Sequence, residues 1–309
     1  MIIGVESAGA FTTIQDLGRP GWGSSGVPPS GAMDELALRA ANLLAGNDEG
    51  AAALEITVSG PRLRFEEEAV CALAGATFDA RINDQPIEPG RSVLVPAGTT
   101  LRIGSARAGL RGYLAIRGGI AVEPVLGSRS TLVSAGIGGL DGGALTDGAT
   151  LPVGPSAPYD GRTRALKADA LPGAAELRAI PGPQEDAFAP GTLDAFFSNS
   201  FTVSPRSDRA GVRLDGEALV LSGPADLDPE GVVTGAVQVP ADGLPIVLGP
   251  DRPATGGYVK IATVIAADLP LLAQARPADT LRFAATTVED ARAAWRERLE
   301  ALRNGVDER

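Results

Sequence analysis

Along most of the chain, apolar and polar positions alternate in short runs stopped by Gly or Pro. That two-residue period predicts half-buried strands. Residues 110–117 (Leu-Arg-Gly-Tyr-Leu-Ala-Ile-Arg), 92–95 (Ser-Val-Leu-Val) and 218–222 (Ala-Leu-Val-Leu-Ser) are the clearest runs. A turn-plus-strand phrase also occurs three times, at 96–103, 146–153 and 276–283, each ending in Thr-Leu-x-apolar. In each, a tight turn feeds a strand, the shape of an entry to a barrel or sandwich edge. Two of the phrases close the two halves of the chain, which suggests two similar β-barrel domains; chance recurrence is the alternative.

Helical spacing is rare. Residues 30–34 lead into Leu36, Ala37, Ala40, Leu43 and Leu44 at helical intervals, with Gly46 placed to stop the helix. Thr287 and Asp290 form a capping box for a second helix. Its stripe Val288, Ala291, Trp295, Leu299 and Leu302 is ended by Asn304 and Gly305. That stripe either packs on its own barrel or docks a partner. The segment 152–172, with prolines at 152, 155, 158 and 172, is the expected linker. The reading is therefore mainly β, with domains at 1–165 and 166–309.

Composition fits that picture. The 309 residues suffice for two domains, and 40 Gly with 24 Pro in no fixed period suit many strands and turns better than a helical bundle. The formal net charge of −11, with no block of Lys or Arg to offset it, argues against nucleic acid and anionic membrane as partners. The first residues lack a basic stretch followed by a long apolar run, so no signal peptide is expected and the cytoplasm is the expected location. The one cysteine, Cys71, lies in an alternating apolar run and reads as a buried structural thiol. The chain has no histidine. Ser-His-Asp and Cys-His catalysis and imidazole metal sites are thereby removed, and acid–base work falls to carboxylates, Lys, Tyr or a partner.

The glycine cluster at 136–143 lacks the third glycine of a dinucleotide fingerprint, and no Gly-Lys-Ser/Thr follows any glycine run. It reads as a turn. Three other blocks pack polar residues among glycines: 12–21 continuing to 30–34, 206–214, and 235–260. Glycine admits a small ligand close to the backbone, while Gln, Asp, Arg and Tyr offer donors and acceptors at fixed geometry. Such a set suits an amide or a carboxylate. Asp-Arg pairs and Thr-Gly-Gly runs also build ordinary turns, so each block alone stays open to a purely structural reading.

Taken in order, the blocks resemble a known family. Residues 15–21 (Gln-Asp-Leu-Gly-Arg-Pro-Gly), 31–34, 41–47, Leu54-Glu55, 113–119, 182–184, 207–214 and 235–260 are similar to the carboxyltransferase-like family related to allophanate hydrolase subunit 2. The resemblance runs from about Gly4 to Phe283. It implies two cyclophilin-like β-barrel domains with a few short helices and a C-terminal helix, and a separately encoded partner. Stand-alone members resemble the C components of prokaryotic 5-oxoprolinases, which open 5-oxo-L-proline to L-glutamate with ATP and with the A and B components. Related sequence forms part of urea carboxylase, where carboxybiotin is the donor. Other relatives pair with and counteract an inhibitor of a sporulation-controlling kinase. No Met-Lys-Met-like biotin attachment site is present, and Ser30, Ala254 and Val259 stand where Gly, Thr and Pro are the commoner choices.

On this resemblance Tyr258, Lys260 and Asp251 are the expected catalytic residues, with Tyr258 or Lys260 polarising the substrate or moving its proton. Gln238, Ser207, Asp208, Arg209, Thr255, Gly256 and Gly257 are expected to bind substrate, with support from Gln15, Asp16 and Arg19. No metal is expected. The resemblance implies ATP use by the complex, with its site on this chain or on a partner, and biotin enters only in the urea-type alternative.

Overall fold

The computed structural model of the chain describes residues 1–156, 159, 161–167 and 176–308. The chain divides into two compact units assembled from separated stretches. One comprises Met1–Arg19, Ser30–Leu171 and Leu299–Arg309, the other Pro20–Pro29 and Pro172–Arg298. The expected linker at 152–172 contains a short strand, Arg164–Leu166. Its residues 157, 158, 160 and 168–172 lie outside the described residues.

The first unit is built around one long strand, Thr99–Ile116. Its first residues pair with Arg62–Phe65 and its last with Ala53–Thr57, while Ala69–Ile82 follows it along most of its length. The path continues from Arg62–Phe65 to Ile2–Ser7 and Thr150–Pro152, and from Ala53–Thr57 to Phe11–Gln15. The sheet curls into a half-barrel without closing. Ile3, Ile14, Leu54, Phe65, Leu101 and Leu114 are among the fully buried residues of its core. The free edge of Phe11–Gln15 is covered by loop backbone: the Leu145 N–H donates to Thr12 O at 2.8 Å and the Thr131 N–H to Ile14 O at 2.9 Å. Covering an edge in this way blocks pairing with another chain.

Helix α1 (Glu35–Ala45) packs on the Ala69–Ile82 and Thr99–Ile116 strands. Asp34 caps it, accepting the Ala37 N–H at 2.8 Å, and Gly46 at φ 78° ends it, as the spacing predicts. Gly75 lets the helix approach, because a Cβ there would lie 2.7 Å from Arg111 O and 3.2 Å from Ala37 Cβ. A buried polar cluster fixes the start of the helix. The Tyr113 hydroxyl donates to Glu55 Oε2 at 2.6 Å and accepts the Asp34 N–H at 2.8 Å, and the Met33 N–H also donates to Glu55 Oε2. Burial first, and the Glu55 charge next, push the Tyr113 phenol well above its ordinary value.

In the second unit, among the described residues, seven strands close into a barrel. Their order is Leu177–Pro181, Thr280–Ala285, Ser200–Val203, Gly211–Asp215, Ile246–Leu248, Ala236–Val239 and Thr255–Val264, which returns to Leu177–Pro181. Asp226–Gly231 lies outside this ring, paired with Thr255–Val264. The short helix α2 (Thr192–Ser198) brings in Phe196, which stacks on Phe283 at 4.5 Å and tilts over Phe201 at 5.8 Å. Helix α3 (Leu269–Gln274) follows Asp268, whose carboxylate takes two hydrogen bonds from the Arg178 guanidinium.

The mainly β reading holds, as one closed barrel and one curled half-barrel sheet. The three repeated phrases each enter a strand, at Thr99, Thr150 and Thr280. The run at 218–222 forms no regular strand, and only Leu221 bridges, to Phe188. Its backbone is divided among separate partners, with the Leu219 N–H on Gly243 O and Val220 O accepting from the Ala189 N–H. The expected C-terminal helix is α4 (Val288–Asn304). Ala291 and Trp295 pack against the buried cluster of Ile265, Ala267 and Ala294 in the second unit. Leu302, in the part of the helix assigned to the first unit, is fully buried, whereas Val288 is exposed.

Candidate functional site

The densest group of sequence-selected residues lies on the Thr255–Val264 strand and its two neighbours. Lys260 is opposite Gln238 on one side, while Tyr258 is opposite Asp226 and Gly256 opposite Glu230 on the other. Alternation along the strand puts Gly256, Tyr258 and Lys260 on one face. Lys260 is buried, and its ammonium is paired with the Glu230 carboxylate. Gln184 completes the cluster: its Nε2 donates to Glu230 Oε1 at 2.8 Å and its Oε1 accepts the Lys260 N–H at 3.1 Å. Gly182 lets this loop lie against the strand, since a Cβ there would be 2.1 Å from Lys260 O. The hydrogen bond from Lys260 holds the Glu230 carboxyl below its ordinary value. Tyr258, on the same face, is 39% exposed.

Gln238 is buried, and its Nε2 has no hydrogen-bond partner among the described residues. A Cβ on Gly256 would lie 2.3 Å from that nitrogen, so glycine at 256 is what makes room for the amide. A buried, unpaired amide nitrogen is costly in an empty protein. It is also the kind of donor that a ligand's carbonyl or carboxylate satisfies.

Asp251, partly buried, and Arg209, buried, form a bidentate pair, Nε to Oδ2 at 2.7 Å and Nη2 to Oδ1 at 3.0 Å. Asp208 and Ser207 shape the turn before the Gly211–Asp215 strand. Asp208 Oδ1 accepts the Ala210 and Gly211 N–H groups, and Ser207 Oγ accepts the Arg213 N–H. Thr255 and Gly256 pair with Gly231 and Glu230 on the outlying strand, and Gly257 lies between Gly256 and Tyr258.

Gln15, Asp16 and Arg19 belong to the first unit, and there they hold the loop at 125–131. The Asp16 carboxylate accepts from the hydroxyls of Ser128 and Ser130 and from the Arg129 and Gly18 N–H groups. Arg19, fully buried, donates to the carbonyls of Val125 and Ser130. Gln15 Nε2 donates to Thr13 Oγ1 and Thr131 O.

Sequence reasoning singled out neither Glu230 nor Arg252. Glu230 lies in a polar run that reads as loop, and its pairing with Lys260 arises only when the two strands come together. Arg252 follows Asp251 directly and is buried, yet Asp251 is turned to Arg209.

The geometry is that of a lysine, a tyrosine and an amide on neighbouring strands of a closed barrel. Known proteins share the framework. Residues 25–285 match the family described as carboxyltransferase domain, subdomain A and B. The chain is 42% identical to the C subunit of Escherichia coli 5-oxoprolinase, over 92% of this chain and 91% of the relative. It is 36% identical to the C subunit of Haemophilus influenzae 5-oxoprolinase, over 96% of each. Among solved structures, the K. lactis urea amidolyase superimposes with a TM-score of 0.93 at 32% identity. That match covers 98% of this chain but spans only 20% of the amidolyase chain.

Proposed function

The chain belongs to the carboxyltransferase domain family, subdomain A and B, and from that premise we propose that it is the C component of a 5-oxoprolinase complex, opening 5-oxo-L-proline to L-glutamate at the expense of ATP together with the A and B components. The observation that carries the reading is end-to-end correspondence. The E. coli relative is matched over nine-tenths of both chains, whereas the matched stretch is a fifth of the urea amidolyase structure.

The substrate on this reading is a five-membered lactam bearing a carboxylate. Ring opening breaks the C–N bond, adds water's oxygen to the carbonyl carbon and delivers a proton to the departing nitrogen. That calls for a group that polarises the carbonyl oxygen and one that moves a proton. Lys260 is held in place by Glu230, and Tyr258 presents an exposed hydroxyl two residues away on the same face; we assign them these tasks. Gln238 matches the lactam edge, and Asp251 acts by fixing Arg209. On this reading ATP is used by the complex, with its site on this chain or on a partner.

Co-expression with the A and B components followed by ATP-dependent glutamate release from 5-oxoproline tests the reading. Activity is expected to need all three chains, and Lys260→Met and Tyr258→Phe each to lower turnover by about 100-fold or more while the complex still assembles. Full activity without this chain, or undiminished in both variants, overturns it. The close superposition on urea amidolyase keeps a second reading in view, a carboxyltransferase acting on urea or a related amide. Turnover that depends on a biotinylated protein would favour it. A tight complex without turnover would point instead to a regulatory binding partner.

A further inference from the structure

We infer that Arg252 is an anion subsite of the second unit, the residue that grips the carboxylate of this chain's ligand. Its identification with the carboxylate of 5-oxoproline rests on the function proposed above; the subsite itself rests on geometry.

On the resemblance, Arg209 and Asp208 are among the residues expected to bind substrate. In the folded chain the Arg209 fork is spent, because two of its nitrogens bind both oxygens of Asp251. Arg252 is the reverse case. It is 8% exposed, and among the described residues no carboxylate pairs with it. Its Nη1 reaches only the neighbouring Pro253 carbonyl, at 3.4 Å, and its Nε is sealed from solvent with no acceptor among those residues. The adjacent carboxylate, Asp251, is turned away to Arg209. Burial lowers the affinity of the Arg252 guanidinium for its proton.

A buried cation without a counter-ion is among the most costly arrangements a fold can hold, and removing it commonly stabilises a protein. Its cost is offset once an anion of matching geometry enters, and the planar guanidinium fork matches a carboxylate. A second unsatisfied donor belongs to the same unit: Gln238 Nε2, beside Gly256, four residues on from Arg252. Two buried donors left open in one unit fit a ligand carrying both a carboxylate and an amide carbonyl.

The test is calorimetric titration of the full chain with 5-oxoproline and with 2-pyrrolidone, the same lactam without its carboxylate, for wild type, Arg252→Met and Arg252→Lys. Wild type is expected to prefer 5-oxoproline, and Arg252→Met to lose at least about tenfold of that preference while leaving 2-pyrrolidone unchanged. Arg252→Lys should recover only part, since an ammonium lacks the fork. The thermal midpoint of ligand-free Arg252→Met should equal or exceed that of wild type, whereas removal of a merely structural arginine would lower it. Equal preference in Arg252→Met and wild type, or no binding of 5-oxoproline by wild type, overturns the subsite. Carboxylate preference through Arg252 in a complex that does not release glutamate would leave the subsite standing and remove the 5-oxoprolinase reading. Glutamate release with an unchanged KM in Arg252→Met would do the opposite.

Discussion

Ala278 shows how much one backbone angle can decide. The three repeated turn phrases place Gly98, Gly148 and Ala278 at matching positions, and all three residues are left-handed, at φ 70°, 81° and 73°. Glycine adopts that conformation freely, while a residue with a Cβ is strained there by about 1–2 kcal/mol. Ala278→Gly is therefore expected to stabilise the chain by about 0.5–1 kcal/mol, after allowing for glycine's greater unfolded-state entropy, as read by urea unfolding. Loss of stability would show that neighbouring packing outweighs the angle. At this scale the sequence was legible where residue type and spacing determine the chemistry. The polar, glycine-rich block at 235–260 was marked that way, and within it Lys260 and Gln238 lie opposite each other. Glu230 and Arg252 were not legible, because their character comes from partners. Glu230 gains its lysine across a strand pair, and Arg252 loses its nearest carboxylate to a residue forty-odd positions earlier in the chain.

Elements were legible in proportion to their length. α1 and α4 announce themselves by cap and stripe, whereas α2 and α3 are too short for a helical period to emerge. The run at 218–222 has the alternation of a strand but is used by separate loops, a division that no local pattern records. The most consequential device at this scale is the cluster that fixes the entry to α1. Tyr113→Phe removes a donor from buried Glu55 and an acceptor from the Asp34 N–H, and should cost about 1–3 kcal/mol. Far-UV circular dichroism through a urea titration checks it. A change of under about half a kcal/mol would mean that water or Glu55 alone can replace the hydroxyl. Cys71, in the Ala69–Ile82 strand of the same unit, is fully buried, and burial pushes its thiol up, in keeping with a structural role.

On the scale of the whole chain, long-range ties dominate. Glu49 takes hydrogen bonds from Arg303, 254 positions away, and from Arg39 on α1. The hydrogen bond from Arg303 is the main reason its carboxyl sits below the ordinary value of 4.5. The folded state thus prefers ionised Glu49. The stability this adds is present above 4.5 and is lost as pH falls from there through the lowered value. Glu49→Gln should accordingly be less stable than wild type near neutrality and show a shallower loss of stability below pH 4.5. Parallel curves for the two proteins in chemical unfolding across that range would remove the assignment.

Closure of the second barrel has a further consequence, for the order of synthesis. The strand Leu177–Pro181 is the first of its ring to be made, yet its neighbours are Thr255–Val264 and Thr280–Ala285. As the ribosome extends the chain, this strand leaves the exit tunnel with two bare edges and must wait for nearly the whole unit. Loop-closure entropy slows such late pairing, and bare strand edges invite association with other nascent chains. Fragments ending before Thr255 carry that hazard permanently.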